Sequence, residues 1–124
     1  MKVHAKKLDA VKVLSLEGQI VNGDTETLRG AVRLADDTSN IILDLSNVSV
    51  VDAHGLGVLL QLREQTLANG IHFELINVNE PVSRVFKIAR LDTVFEINSA
   101  VKFLPDIAQM QRMHAAPRTG NLQL

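Results

Sequence analysis

Five consecutive residues, Ile41-Ile42-Leu43-Asp44-Leu45, constrain this chain more than any others. The run is too short for a helix and rich in branched side chains, and in a strand its neighbours point to opposite faces. Both faces must therefore be covered, which places this strand in the middle of a sheet. On either side the apolar period becomes helical. Upstream, Leu28, Ala31, Val32 and Ala35 form one stripe. It predicts a helix over residues 25–37, entered through the turn Asn22-Gly23-Asp24-Thr25 and capped by Asp24 or Thr25. Downstream, Leu56, Leu59, Leu60, Arg63 and Leu67 predict a second helix over residues 53–69. It closes at Asn69-Gly70, where glycine takes the left-handed conformation that ends helices. Strands alternating with helices imply right-handed βαβ crossovers, hence a mixed sheet with a parallel centre.

The flanking segments extend this pattern. The stretches Val3 to Leu8 and Val11 to Glu17, broken at Asp9-Ala10, read as an N-terminal hairpin. Ile71 to Val78 reads as another strand, and Pro81 with Val82, Val85, Phe86 and Ala89 as a third helix that starts on proline. Asp92-Thr93 turns the chain into a last short strand, Val94-Phe95-Glu96-Ile97. Asn98 or Ser99 then caps a final helix carrying Val101, Leu104 and Ala108, kinked or restarted at Pro105. Beyond Met110 no period remains. The expected architecture is one α/β domain over residues 1–110, a mixed sheet of about five strands packed by about four helices, with residues 111–124 a flexible tail.

Composition removes several classes of function. With a net charge of −1 and no dense Lys/Arg cluster, the chain has no field for nucleic acid. With 3% aromatic residues and neither Trp nor Tyr, it has no stacking platform for bases or sugars. No cysteine is present for disulfides or thiolate metal sites. No apolar run approaches the ~20 residues that span a bilayer, and no secretory leader is recognisable, so a cytoplasmic protein is expected. His4, His54, His72 and His114 are widely separated, with no His-x-x-x-His or Glu-x-x-His pair, and no metal site or cofactor is expected. A phosphate loop is absent, because Gly55-Leu56-Gly57 lacks the lysine and the spacing. Asp52 and His54 with Ser49 as nucleophile lie too close in sequence to converge as a catalytic set, so a small enzyme using them is the least favoured reading.

The informative stretch runs from Ile41 to Leu60. The strand ending Asp44-Leu45 leads through Ser46-Asn47-Val48-Ser49-Val50-Val51 into Asp52-Ala53-His54-Gly55-Leu56-Gly57. Asp52 can cap the helix, and Gly55 and Gly57 remove side chains so that another surface can approach the backbone. Leu59 and Leu60 read as core, whereas either Leu56 or Val58 is free to face outward. Here the sequence resembles the STAS family, the sulfate-transporter and anti-sigma-factor-antagonist domain. The resemblance covers about Gly18 to Val101. It rests on Gly18-Gln19-Ile20, Leu28-Arg29, Asp44-Leu45-Ser46, Val50-Val51-Asp52, Gly55-Leu56-Gly57-Val58-Leu59-Leu60 and Arg90-Leu91-Asp92 before Val94-Phe95.

The resemblance implies a protein-binding regulator that switches partners: it binds an anti-sigma factor, often a GHKL-type serine kinase, and so frees a sigma factor. The family's usual pattern is Asp-Ser-Ser/Thr/Ala-Gly, with the first serine taking the phosphate. Here that position is Ala53 and the next is His54, so neither offers a serine kinase its hydroxyl. Two readings follow: an antagonist locked in its binding-competent form, which is favoured, or a scaffold subunit of a larger signalling assembly. Many relatives carry Leu-Asp after the glycine where this chain has Ile20-Val21, and Asn22 or Asp24 can replace the lost contact. The expected partner surface is Asp52, Ala53, His54, Gly55, Leu56, Gly57, Asn22 and Asp24. Ser46, Ser49 and His54 remain as alternative modification sites, against simpler roles as turn residues and a solvated histidine. A homodimer is compatible with the sequence.

Overall fold

The computed structural model describes residues 1–33 and 37–98. Its eight elements run β1 (Lys2–Leu8), β2 (Val11–Ile20), α1 (Glu26–Arg33), β3 (Asn40–Val51), α2 (Ala53–Ala68), β4 (His72–Ile76), α3 (Glu80–Ile88) and β5 (Ile97–Asn98). The five strands form one sheet in the order β1-β2-β3-β4-β5, with β3 central. β1 and β2 are the expected antiparallel hairpin, tightened at Asp9, whose φ of 54° is left-handed. The other neighbours are parallel, joined in turn by α1, α2 and α3. Three right-handed crossovers stepping one way across a sheet put all three helices on one face. The core accordingly joins Leu28 and Val32 of α1, Leu56, Val58, Leu59 and Leu62 of α2, and Val82 and Phe86 of α3. They pack on Leu14, Leu16, Ile41, Leu43, Leu45, Phe73 and Leu75 of the sheet. Ile42, Glu74 and Ile76 point to the other face and are buried as well, so the central run is covered on both faces as its composition requires.

Three expectations are corrected. The central strand does not stop at Leu45 but continues to Val51, pairing with the far end of β2 from Glu17↔Asn47 to Ile20↔Val51, while β4 pairs only Asn40–Asp44. The register shifts at Ser15/Glu17 and Gly18/Gln19 break the two-residue alternation, so buried Leu45, Val48 and Val51 fall three apart and disguise the strand. The last strand is Ile97–Asn98 alone. Val94 and Phe95 are held by N–H bonds to the Leu91 carbonyl (3.1 and 3.2 Å), which directs the Phe95 ring onto Phe73 and Phe86 at centroid distances of 6.5 and 5.5 Å. Asn98 lies in this last strand, and the helix that it or Ser99 is expected to cap lies outside the described residues. Neither Leu56 nor Val58 faces outward, at 8% and 1% exposure, because α2 packs a broad face on the sheet.

Three helices stand among the described residues. The expected fourth helix and the boundary at residue 110 lie outside them, as does Ala35. Asp37 is not helical. Thr25 immediately precedes α1, and its carbonyl accepts the Arg29 N–H at 3.0 Å. No helix among the described residues is long and apolar enough to cross a membrane.

Candidate protein-docking site

At the carboxyl end of β3 the chain reverses at Asp52 into α2. Asp52 has extended backbone (φ −96°, ψ −177°), and its Oδ1 accepts the Gly55 N–H at 2.7 Å as a helix N-cap. Its Oδ2 accepts the Asn22 N–H at 3.1 Å, so one carboxylate ties the β2–α1 loop to the start of α2. These backbone donors, Gly55 first and Asn22 second, hold its pKa below the usual carboxylate value, with His54 adding a smaller favourable charge and partial burial opposing. The backbone continues the link: the Asp52 N–H donates to the Ile20 carbonyl at 3.3 Å.

The two glycines of Gly55-Leu56-Gly57 have opposite surroundings. A Cβ at Gly55 would lie 1.9 Å from the Ile20 carbonyl oxygen, so this glycine lets α2 approach the end of β2 within the chain. A Cβ at Gly57 would meet nothing within 4 Å. Ala53, His54 and Gly57 are exposed, as are Asn22 and Gly23 of the loop, whereas Gly55 and Leu56 are buried. Of the expected surface residues, Gly55 and Leu56 therefore shape the face from below. Asp24 is half-buried, its carboxylate 2.9 Å from the α-ammonium of Met1.

Ser46 and Ser49 are exposed on the extended part of β3. The Ser46 backbone N–H donates to Asp44 Oδ1 at 2.9 Å, and the Ser49 hydroxyl donates to the Gly18 carbonyl of the neighbouring strand at 3.4 Å, so both residues belong to β3 and not to a turn. Val50, 44% exposed and two residues before Asp52, was not among the expected residues. Because the register shifts leave both Ser49 and Val50 exposed between buried Val48 and Val51, no sequence period marks Val50 as an outward apolar side chain.

The face thus formed is small-featured: an alanine, a histidine, an open glycine and a tethered loop around a helix N-terminus. The sequence model of the STAS domain matches residues 2–104. The chain belongs to the STAS domain family. Within it, a Thermotoga maritima protein named as an anti-sigma factor antagonist is 32% identical over 63 residues, 51% of this chain. The match spans 56% of the length of that relative. The anti-sigma factor antagonist SpoIIAA in its unphosphorylated form superposes with a TM-score of 0.69 at 18% identity, covering 87% of this STAS chain and 97% of SpoIIAA. An anti-sigma factor antagonist from Mycobacterium paratuberculosis gives 0.68 at 24% identity, covering 90% and 93%. At these identities the structural likeness is one of fold.

Proposed function

We propose that this STAS chain is a non-catalytic regulator that docks an anti-sigma factor on the face formed by the start of α2 and the β2–α1 loop. We further propose that it lacks a phosphorylation switch at position 53. The observation that carries this reading is the arrangement around Asp52. A single carboxylate orders both halves of an exposed surface, with Ala53, His54 and Gly57 turned outward. The names of the relatives supply the class of partner. A phosphoryl group at the first residue of α2 would add about −1.5 to −2 charge beside Asp52 and repel or reorganise a docked partner. Ala53 has no hydroxyl to receive it, so docking is constitutive.

The test is Ala53→Asp. Position 53 is the first helical residue. A carboxylate there meets free N–H groups and the positive end of the helix dipole, worth about 0.3–1 kcal/mol in favour of the fold. At an interface, the same unpaired charge beside Asp52 costs several kcal/mol on burial, and about 1.4 kcal/mol is tenfold in affinity. Wild-type and variant chains are used side by side as bait in a lysate of the source cells, and binding of the retained protein is measured by calorimetry. A sigma-binding protein retained by the wild type and weakened by two orders of magnitude in a variant that melts normally is the expected result. Equal affinity for both baits refutes docking at this face.

A further inference from the structure

On the sheet face turned away from the helices, β4 contributes two side chains and the segment before β5 a third. His72 Nε2 lies 3.2 Å from Glu74 Oε1 and 3.2 Å from Glu96 Oε1. The three ligand atoms all lie within 4.8 Å of one another. The other oxygen of each carboxylate is held by one group: the Asn98 side-chain amide donates to Glu74 Oε2 and, at 3.3 Å, to Glu96 Oε2. A single amide thus bridges the two Oε2 atoms and turns both Oε1 atoms toward the same imidazole nitrogen. Second-layer hydrogen bonds that fix carboxylate ligands in metal sites have this form.

The cluster is poorly balanced as a set of ion pairs. Nε2 of a histidine carries at most one hydrogen, yet two carboxylate oxygens stand at equal distance from it. Glu74 is 2% exposed, and its carboxylate shares the Asn98 amide with that of Glu96, so two carboxylates crowd one nitrogen at a largely buried position. A divalent cation among the three atoms supplies the missing charge and uses all three lone pairs. The spacing fits. Zinc–ligand bonds of 2.0–2.2 Å in a tetrahedron separate ligand atoms by about 3.3–3.6 Å, close to the two 3.2 Å separations. Imidazole beside carboxylate selects a transition ion over magnesium or calcium, which favour oxygen donors.

We propose that His72 Nε2, Glu74 Oε1 and Glu96 Oε1 form a binding site for a divalent transition-metal cation of the Zn²⁺ type, with Asn98 positioning both carboxylates and water completing the shell. His72 and Glu96 are each 44% exposed, which gives the ion a path of entry, while Glu74 anchors it at the sheet. The bound ion fastens the two-residue β5 to β4. The site lies at the amino end of β4, whereas the docking face follows the carboxyl end of β3, so loading one leaves the other open. Adjacency along the chain concealed this site. Two ligands come as His72-x-Glu74, a strand spacing that places both on one face, and the third is the residue immediately before β5.

The experiment titrates the full, tag-free chain with ZnCl₂ by calorimetry near neutral pH, alongside MgCl₂ and melts of the same samples. One Zn²⁺ per chain, a higher melting temperature with Zn²⁺ and no saturable Mg²⁺ binding are expected. Because His72 and Glu96 are exposed, His72→Ala and Glu96→Gln keep the fold, checked by their metal-free melts, and each weakens Zn²⁺ binding at least tenfold. Asn98→Ala weakens it roughly 10- to 100-fold without removing a ligand. His4→Ala and His114→Ala leave it unchanged. Absence of saturable Zn²⁺ uptake by the wild type, or uptake that survives His72→Ala and Glu96→Gln, overturns the site.

Discussion

Two glycines separated by one residue should respond oppositely to the same added methyl group. At Gly55 a Cβ would stand 1.9 Å from the Ile20 carbonyl oxygen, 2.8 Å from its carbon and 3.1 Å from Ile20 Cγ2. Ordinary carbon–oxygen contacts begin near 3.3 Å, so about 1.4 Å must be recovered, and the obstacle is backbone that cannot rotate away. Gly55→Ala therefore pushes the start of α2 off the end of β2. Overpacking of this kind costs about 1–3 kcal/mol, and the displaced bond from the Asp52 N–H to the Ile20 carbonyl adds about 0.5–1.5 kcal/mol. Alanine returns about 1 kcal/mol through its helix propensity. The net loss is about 0.5–3.5 kcal/mol. At Gly57, where nothing lies within 4 Å, only the propensity gain remains, and Gly57→Ala should stabilise by about 0.5–1 kcal/mol. Urea unfolding of the two variants beside the wild type measures both signs. In thermal melts each kcal/mol moves the midpoint by roughly 4–8 °C for a domain of about 60–100 residues. A Gly55→Ala chain as stable as wild type would refute the close approach, and a destabilised Gly57→Ala chain would refute the open surface.

Two further outcomes follow from individual contacts. Asp52 has a depressed folded-state pKa, so its contribution to stability is present above its unfolded value and is lost as pH falls through the folded one. Urea midpoints measured from neutral to acid pH should drop through that window, and Asp52→Asn should remove this part of the slope; an unchanged profile would show that the carboxylate holds neither loop nor helix. Asn79 caps α3 by accepting the Val82 N–H at 3.1 Å, and it donates to the Val48 carbonyl at 2.7 Å. Asn79→Ala should cost about 1–2 kcal/mol in the same assay, and a loss below a few tenths would mean that neither bond survives in solution.

Much of the fold was legible because its elements obey a period. The hairpin, the central strand and α2 with its cap at Asp52 all lie where alternation, branched side chains and capping chemistry place them. The failures have tertiary causes. β3 continues past Leu45 because it pairs with β2 beyond the end of β4, and the register shifts there remove the alternation that would have announced it. Val94-Phe95 looks like strand sequence, but the contact of Phe95 with Phe86 outweighs extended pairing and leaves only Ile97–Asn98 in the sheet. The site over His72, Glu74 and Glu96 depends on which strand lies beside β4, which no local pattern reports.

At the proposed docking face the sequence singles out the residues without showing how each is placed. Gly55-Leu56-Gly57 reads as one exposed motif, yet Gly55 is occupied by the carbonyl of Ile20 and Leu56 by the core, leaving Gly57 as the open position. Asp52, whose charge looked available to a partner, already holds a backbone N–H on each oxygen. On the docking reading, recognition then rests on shape: Ala53, His54, Gly57 and the tethered loop present a flat surface, with the outward methyls of Val50 at its border. Such a surface is sensitive to anything that adds bulk or charge at position 53. On that same reading, alanine at position 53 is what keeps the surface unobstructed.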